Sequence, residues 1–228
     1  MHCIENHLHA VRDLGVKPDG LEMELHYPPE WDTKIEEQLK SAGVAGTDCL
    51  VGIHAGWGGR EQAAAGRTRL RSWPVPNFAE LARWLVTNVK AKVVLTGSAA
   101  DEQINKAIRD SSGTDALNLA GRMSLLETAA LIRRLSLYIT VDSGPAHMAA
   151  ALGTPLVTLW GPGILAQTAP LAGRGPVRIL HRDVHCAPCY GTSLMKTCVD
   201  NICMKQILLA DVQQAVEQML ALKSVQQG

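Results

Sequence analysis

From about residue 50 onward, short apolar runs alternate with stretches in which apolar residues recur every third or fourth position. That alternation is the pattern of βαβ units, in which buried strands of a parallel sheet are joined by amphipathic helices. The runs predict strands from Leu50 to His54, Lys92 to Thr96, Leu117 to Leu119, Leu137 to Val141, Leu156 to Trp160 and Val177 to Leu180. The amphipathic stretches predict helices at about Phe78 to Val89, Asp101 to Ser111, Ser124 to Arg134 and Ala146 to Leu152. Ser124 with Glu127 forms a capping-box pattern that fixes the start of the third of these. Gly153 and Pro155 stop the fourth. A last helix, from about Leu209 to Leu222, sets Val212, Val216, Met219 and Leu220 on one stripe, and the tail from Lys223 is expected to fray.

Residues 3–42 read differently. Two helical patterns flank a polar break at Lys17-Pro18-Asp19-Gly20 and an extended, proline-stopped stretch from Leu21 to Pro29. Residues 1–45 are therefore expected to be a linker with lead-in helices, not core, ahead of one Rossmann-like domain over 46–228. The fold class is α/β, with a doubly wound parallel sheet.

An apolar fraction of 46% over 228 residues is enough for a sizeable core, and a formal charge of zero lacks the basic footprint of a nucleic-acid binder. No apolar run has the length of a membrane span, and the start Met1-His2-Cys3-Ile4-Glu5-Asn6 lacks the charged and apolar regions of a signal peptide. The expected location is cytoplasmic.

In an open parallel sheet, ligands bind beyond the carboxyl ends of the strands. The loops to inspect are His54 to Trp73, Gly97 to Asp101, Ala120 to Ser124 and Asp142 to His147. The last is the most telling, since Asp142-Ser143-Gly144 leaves a strand and opens a helix. Backbone N–H groups, the Ser143 hydroxyl and the helix dipole there suit a diphosphate. Asp142 at the strand tip can accept hydrogen bonds from sugar hydroxyls, and His147 lies one turn into the helix. A plainer reading stands beside this one, in which Asp142 or Ser143 only caps the helix and His147 packs internally. The first loop carries Arg60, Arg67, Arg69 and Arg71, and arginine matches phosphate geometry. A solvated arginine loop is the alternative.

These residues fall into an ordered set: His54-Ala55-Gly56, Arg71-Ser72-Trp73-Pro74, Leu95-Thr96-Gly97, Asn118 to Leu125, Asp142 to His147, Ala151 to Pro155 and Trp160-Gly161-Pro162. In that order they resemble the heptosyltransferase-like glycosyltransferases of family 9, over roughly residues 50–205. The resemblance implies the carboxyl-terminal, donor-binding half of a GT-B architecture, taking a nucleotide-diphosphate sugar such as ADP-heptose. It assigns Arg71 to the donor phosphate, Ser143 and Gly144 to the diphosphate, Asp142 to the sugar, Met123 to the nucleotide pocket and Glu102 to the ribose. His54, Gly56, Trp73, Gly97 and His147 complete the implied donor site, with Asp142 and Arg71 as the catalytic pair. The family's acceptor domain, with its proposed general base, has no counterpart in the sequence. The acceptor implied is a lipid-linked or lipopolysaccharide-core oligosaccharide, so peripheral contact with the inner face of the cytoplasmic membrane is implied for the intact enzyme. The scheme requires no cofactor and no metal.

Six cysteines are unevenly spread, and Cys186, Cys189, Cys198 and Cys203 crowd one segment. Four thiolates suit tetrahedral zinc, but the spacing after the CxxC start is loose, so disulfides and reduced structural thiols remain alternatives. Three other functions compete. One is a nucleotide-sugar binding module without transfer activity; another is an epimerase of similar architecture. The third, a dehydrogenase, lacks GxGxxG after the first strand.

Overall fold

The computed structural model describes residues 1–56 and 70–226. Helix α1 spans Cys3–Val11 and α2 spans Glu30–Ser41, and the first two structured segments of the sequence pattern are thus helical as expected. The lead-in is not wholly peripheral, however. Ile35 and Leu39 of α2 are buried against residues of the central sheet and the helix from Leu125–Arg134, because they share one apolar stripe on an otherwise charged helix.

Strand β1 is Leu50–His54; helix α3, Val75–Trp84, begins three residues earlier than the apolar period predicts because Pro74 and Pro76 favour a helix start. A π-helical turn, Leu85–Val89, leads to β2, Lys92–Leu95. Helix α4, Glu102–Ser112, is followed by β3, which is only Leu117–Asn118. Helix α5, Leu125–Arg134, carries the full capping box, with the Ser124 amide donating to Glu127 and the Glu127 amide donating to Ser124 Oγ. Then come β4, Leu137–Val141, α6, Gly144–Leu152, and β5, Leu156–Trp160. Gly153 closes α6 in the left-handed conformation, φ 76°, which a side chain would strain. A short α7, Leu165–Thr168, precedes β6, Val177–His181. Two more short helices, α8 at Ser193–Thr197 and α9 at Ile202–Lys205, and the long α10 at Leu209–Gln226 complete the order.

All six strands are parallel, in the order β3-β2-β1-β4-β5-β6. Successive strand residues face opposite helical layers. Val51, Ile53, Val93, Leu95, Leu137 and Ile139 point to the layer that holds Phe78, Leu81, Val212 and Val216. Leu50, Val94, Tyr138 and Leu156 point to the layer of α2, α5 and α6. Both faces are covered, which is why the strands read as unbroken apolar runs.

The chain winds outward from β1 through β2 to β3, then returns to place β4 on the other side of β1. The order thus reverses between β1 and β4, the switch point at which an open parallel sheet forms a crevice beyond its strand ends.

Candidate functional site

The crevice holds a cavity of about 250 Å3 lined by Arg71, Asp142, Ser143, Gly144, His147, Gly163, Thr168 and Tyr190. Arg71 crosses from the β1 side. Its Nη1 lies 3.3 Å from Asp142 Oδ2 and donates to the Asp142 carbonyl at 3.3 Å. The guanidinium carbon sits 5.0 Å from the centre of the Tyr190 ring, a cation–π stack. Asp142 is buried, and its pKa is raised because desolvation outweighs the attraction of Arg71.

Ser143 begins α6 in an extended conformation, and its side chain makes no cap hydrogen bond. Ser143 is 5% exposed, and its buried hydroxyl has no partner among the described residues. The capping role that competes for Ser143 on sequence grounds is thus not the one it plays. Gly144 is exposed at the helix start, where the dipole is positive. Gly163 makes room on the opposite wall: a Cβ there would stand 2.7 Å from Asp142 Oδ2 and 2.7 Å from the Trp160 indole nitrogen. That indole N–H is also buried without a partner among the described residues. An unsatisfied hydroxyl, a guanidinium and a helix start around one hollow, with the indole N–H behind Gly163, suit a ligand rich in oxygen.

His147 is half-buried on α6, and its pKa is lowered by burial and then by His2. His2 comes from the lead-in: its Nε2 meets the Ala169 carbonyl at 2.9 Å, while Nδ1 accepts the Ile4 amide.

Other residues singled out in the sequence do other work. His54 is 5% exposed, with Nδ1 3.1 Å from Thr96 Oγ1, which in turn lies 2.6 Å from the Tyr138 hydroxyl. Burial pushes the His54 pKa down to about 4, against the pull of the Asp101 carboxylate. Trp73 is 1% exposed, donates Nε1–H to the Ile207 carbonyl at 2.8 Å and packs edge-on against Phe78. It anchors the chain beside Arg71 and does not line the cavity. Gly56 and Gly97 both pack on Asp101: a Cβ on Gly56 would overlap the Asp101 carboxylate, and one on Gly97 would come within 2.7 Å of Asp101 Cβ. Asp101 itself accepts from the Ser98 amide at 2.9 Å and hydroxyl at 2.7 Å, tying the β2 loop down. Glu102, next to it, is exposed and opens on a separate groove of about 560 Å3 along α4, with Lys106 and Arg109. Met123 is half-buried and packs against the α5 layer. The cavity thus gathers Arg71, Asp142, Ser143, Gly144 and His147; His54, Gly56, Trp73, Gly97, Glu102 and Met123 do not line it.

Tyr190, Thr168 and Gly163 line the cavity without having been singled out by sequence. Their segments lack periodicity, and only Gly163, following Trp160-Gly161-Pro162, stands next to a motif. Arg60, Arg67 and Arg69 lie outside the described residues. A further hollow of about 530 Å3, lined by Glu36, Lys40, Asp48 and Arg134 among others, lies at the opposite, amino end of the sheet. There Arg134 Nε is buried without a partner among the described residues, while its Nη2 is held by the Asp32 carbonyl and Glu36.

All six cysteines are free thiols. Cys203 is pushed up to about 11 by burial, with Cys186, Cys189 and Cys198 adding to the shift. The four are neighbours, yet among the described residues no three His, Cys, Asp or Glu side chains are grouped to hold a metal ion. A zinc set of Cys186, Cys189, Cys198 and Cys203 is therefore not assembled, and neither are disulfides.

A doubly wound parallel sheet with a crevice at its switch point defines an α/β domain of the Rossmann-like class. The sequence model of glycosyltransferase family 9 (heptosyltransferase) matches residues 62–198, and the chain belongs to that family. Lipooligosaccharide heptosyltransferase 2 of Haemophilus influenzae is 37% identical over 111 residues, which are 47% of this chain and 32% of that relative. Among solved structures, a family 9 glycosyl transferase from Veillonella parvula superposes with a TM-score of 0.76 at 24% identity, covering 96% of this chain and 60% of that one. The E. coli ADP-heptose lps heptosyltransferase II gives a TM-score of 0.69 at 23% identity, covering 91% of this chain and 56% of that one. These two likenesses show the fold. The chain spans about a third of the curated relative and somewhat over half of the solved neighbours.

Proposed function

We propose that this chain binds the donor of a glycosyl transfer, a nucleotide-diphosphate sugar, with its diphosphate at the start of α6. The observation that carries the reading is the buried, unpartnered Ser143 hydroxyl at a helix start, within the cavity that also holds Arg71 and Asp142. Diphosphate oxygens would accept from Ser143, from backbone N–H groups of the turn and from Arg71. Asp142 would accept from sugar hydroxyls, and the nucleoside would run toward the β2 and β3 loops, past Gly97 and Met123.

The names of the relatives favour ADP-heptose as donor and a lipopolysaccharide-core or other oligosaccharide as acceptor. In the transfer, an acceptor hydroxyl oxygen bonds to the anomeric carbon as the bond to the diphosphate oxygen breaks, with inversion. The nucleoside diphosphate leaves carrying the charge that Arg71 and the α6 dipole stabilise, and the acceptor proton passes to a base outside this cavity. The described residues contain no helix long and apolar enough to cross a membrane. A cytoplasmic site of action, with peripheral contact to a membrane that carries the acceptor, fits the proposal.

Calorimetric titration with ADP and ADP-heptose tests the binding step, and a transfer assay with a lipopolysaccharide-core acceptor tests the chemistry. Binding of both ligands is expected. Binding without turnover would make the chain a donor-binding module, and binding of neither would refute the proposal.

A further inference from the structure

Arg71 belongs to no helix or strand, yet the cavity depends on where its guanidinium lies. Besides Asp142, one distant stretch, residues 189–207, holds it and its flanking backbone. Asn201, 3% exposed, donates Nδ2–H to the Leu70 carbonyl at 3.3 Å and to the Ser72 carbonyl at 2.8 Å, so one carboxamide grips the backbone on both sides of Arg71. Tyr190 stacks on the guanidinium itself. Its ring is placed by the backbone, since the Tyr190 and Cys189 amides both donate to the Pro162 carbonyl, at 3.0 and 3.1 Å. An arginine restrained in backbone and head group loses less freedom when an anion arrives, and that difference appears as affinity.

We propose that Asn201 and Tyr190 are positioning residues for Arg71, and that the cysteine-rich segment carrying them sets the affinity for the donor's diphosphate. The proposal rests on the nucleotide-sugar reading for the identity of the ligand, but its physical content is the placement of an anion-binding guanidinium.

The test is calorimetry of the full chain with ADP and, separately, inorganic pyrophosphate, alongside thermal melts. Tyr190→Ala is expected to weaken both ligands about two- to fivefold, as loss of a half-exposed cation–π contact implies. Tyr190→Phe keeps the ring face and should recover most of the affinity that Tyr190→Ala loses. Asn201→Ala is expected to weaken both ligands about tenfold, because one buried and one part-buried carbonyl lose their donor and the backbone beside Arg71 relaxes. In an Arg71→Ala background, Tyr190→Ala should cost no further affinity. A merely structural Tyr190 would still weaken binding in that background, and this result, or an unchanged affinity for Tyr190→Ala alone, would overturn the proposal. Should Asn201→Ala fail to fold, the Tyr190 pair decides, since that side chain is 49% exposed. Wild-type binding of pyrophosphate without ADP would overturn the nucleotide-sugar reading alone; binding of neither would overturn both.

Discussion

Replacing Asp142 with asparagine should move two ligands in opposite directions. Without ligand, Arg71 is already engaged by Asp142 at 3.3 Å, so a diphosphate must draw the guanidinium away from a carboxylate. At that distance Coulomb's law with an effective dielectric of about 20 gives about 5 kcal/mol as a ceiling, and desolvation of a pair this buried offsets most of it, leaving about 1 kcal/mol. The raised pKa of Asp142 agrees with the lower figure, since burial there outweighs the help from Arg71. Releasing about 1 kcal/mol should make ADP bind about fivefold more tightly. A nucleotide sugar gains the same release but loses hydrogen bonds from its hydroxyls to a charged acceptor, worth about 1.5–3 kcal/mol, and so should bind less tightly overall. Competitive titration of ADP and ADP-heptose against wild type and Asp142→Asn measures both effects in one experiment. An equal loss for the two ligands would refute the argument and make Asp142 a structural residue.

Three further outcomes follow from the surroundings of the cavity. Because the folded pKa of His54 is about 4 against an ordinary 6.5, the folded state favours neutral histidine. Its contribution is present above pH 6.5 and is lost as pH falls toward 4, by about 3 kcal/mol in all; denaturant melts across that window should show the decline, and His54→Gln should flatten it. Gly56→Ala should cost about 1–3 kcal/mol through overlap with Asp101, and chemical denaturation of Gly56→Ala, Asp101→Ala and the double variant should give a combined loss below the sum of the single losses. Ser143→Ala should leave the melting temperature unchanged or higher while weakening ADP, whereas Ser124→Ala should lose about 1 kcal/mol from its cap without changing ADP affinity; the reverse pattern would return Ser143 to a capping role.

The sheet was legible in the sequence because a parallel strand covered on both faces must be apolar throughout, and no other element needs so short and unbroken a run. The α5 cap was legible because Ser124 and Glu127 satisfy one another locally. What periodicity could not show is direction. His54 ends a strand whose residues are buried on both faces, so nothing in the pattern tells whether its imidazole enters the crevice or turns, as it does, toward Thr96. Trp73 next to Arg71 looks equally able to meet a ligand, but its indole finds a carbonyl 134 residues away, a partner no local signal announces. Glu102 and Asp101 differ by one position at a helix start, and the crossing of Gly56 and Gly97 decides which carboxylate turns inward. Tyr190 and Thr168 join the cavity from segments whose conformation depends on tertiary hydrogen bonds such as Tyr190 N–H to Pro162.

The bonds from Asn201 and Ile207 back to Ser72 and Trp73 span 129 and 134 residues. Their consequence concerns synthesis. A nascent chain released as far as β5 already has strands able to pair, yet lacks the partners that set Arg71 in place. The native placement of Arg71 therefore requires the chain to have been made through residue 207. A stop codon between β6 and α9 should yield a product that retains much of the sheet's sequence and is blind to diphosphate.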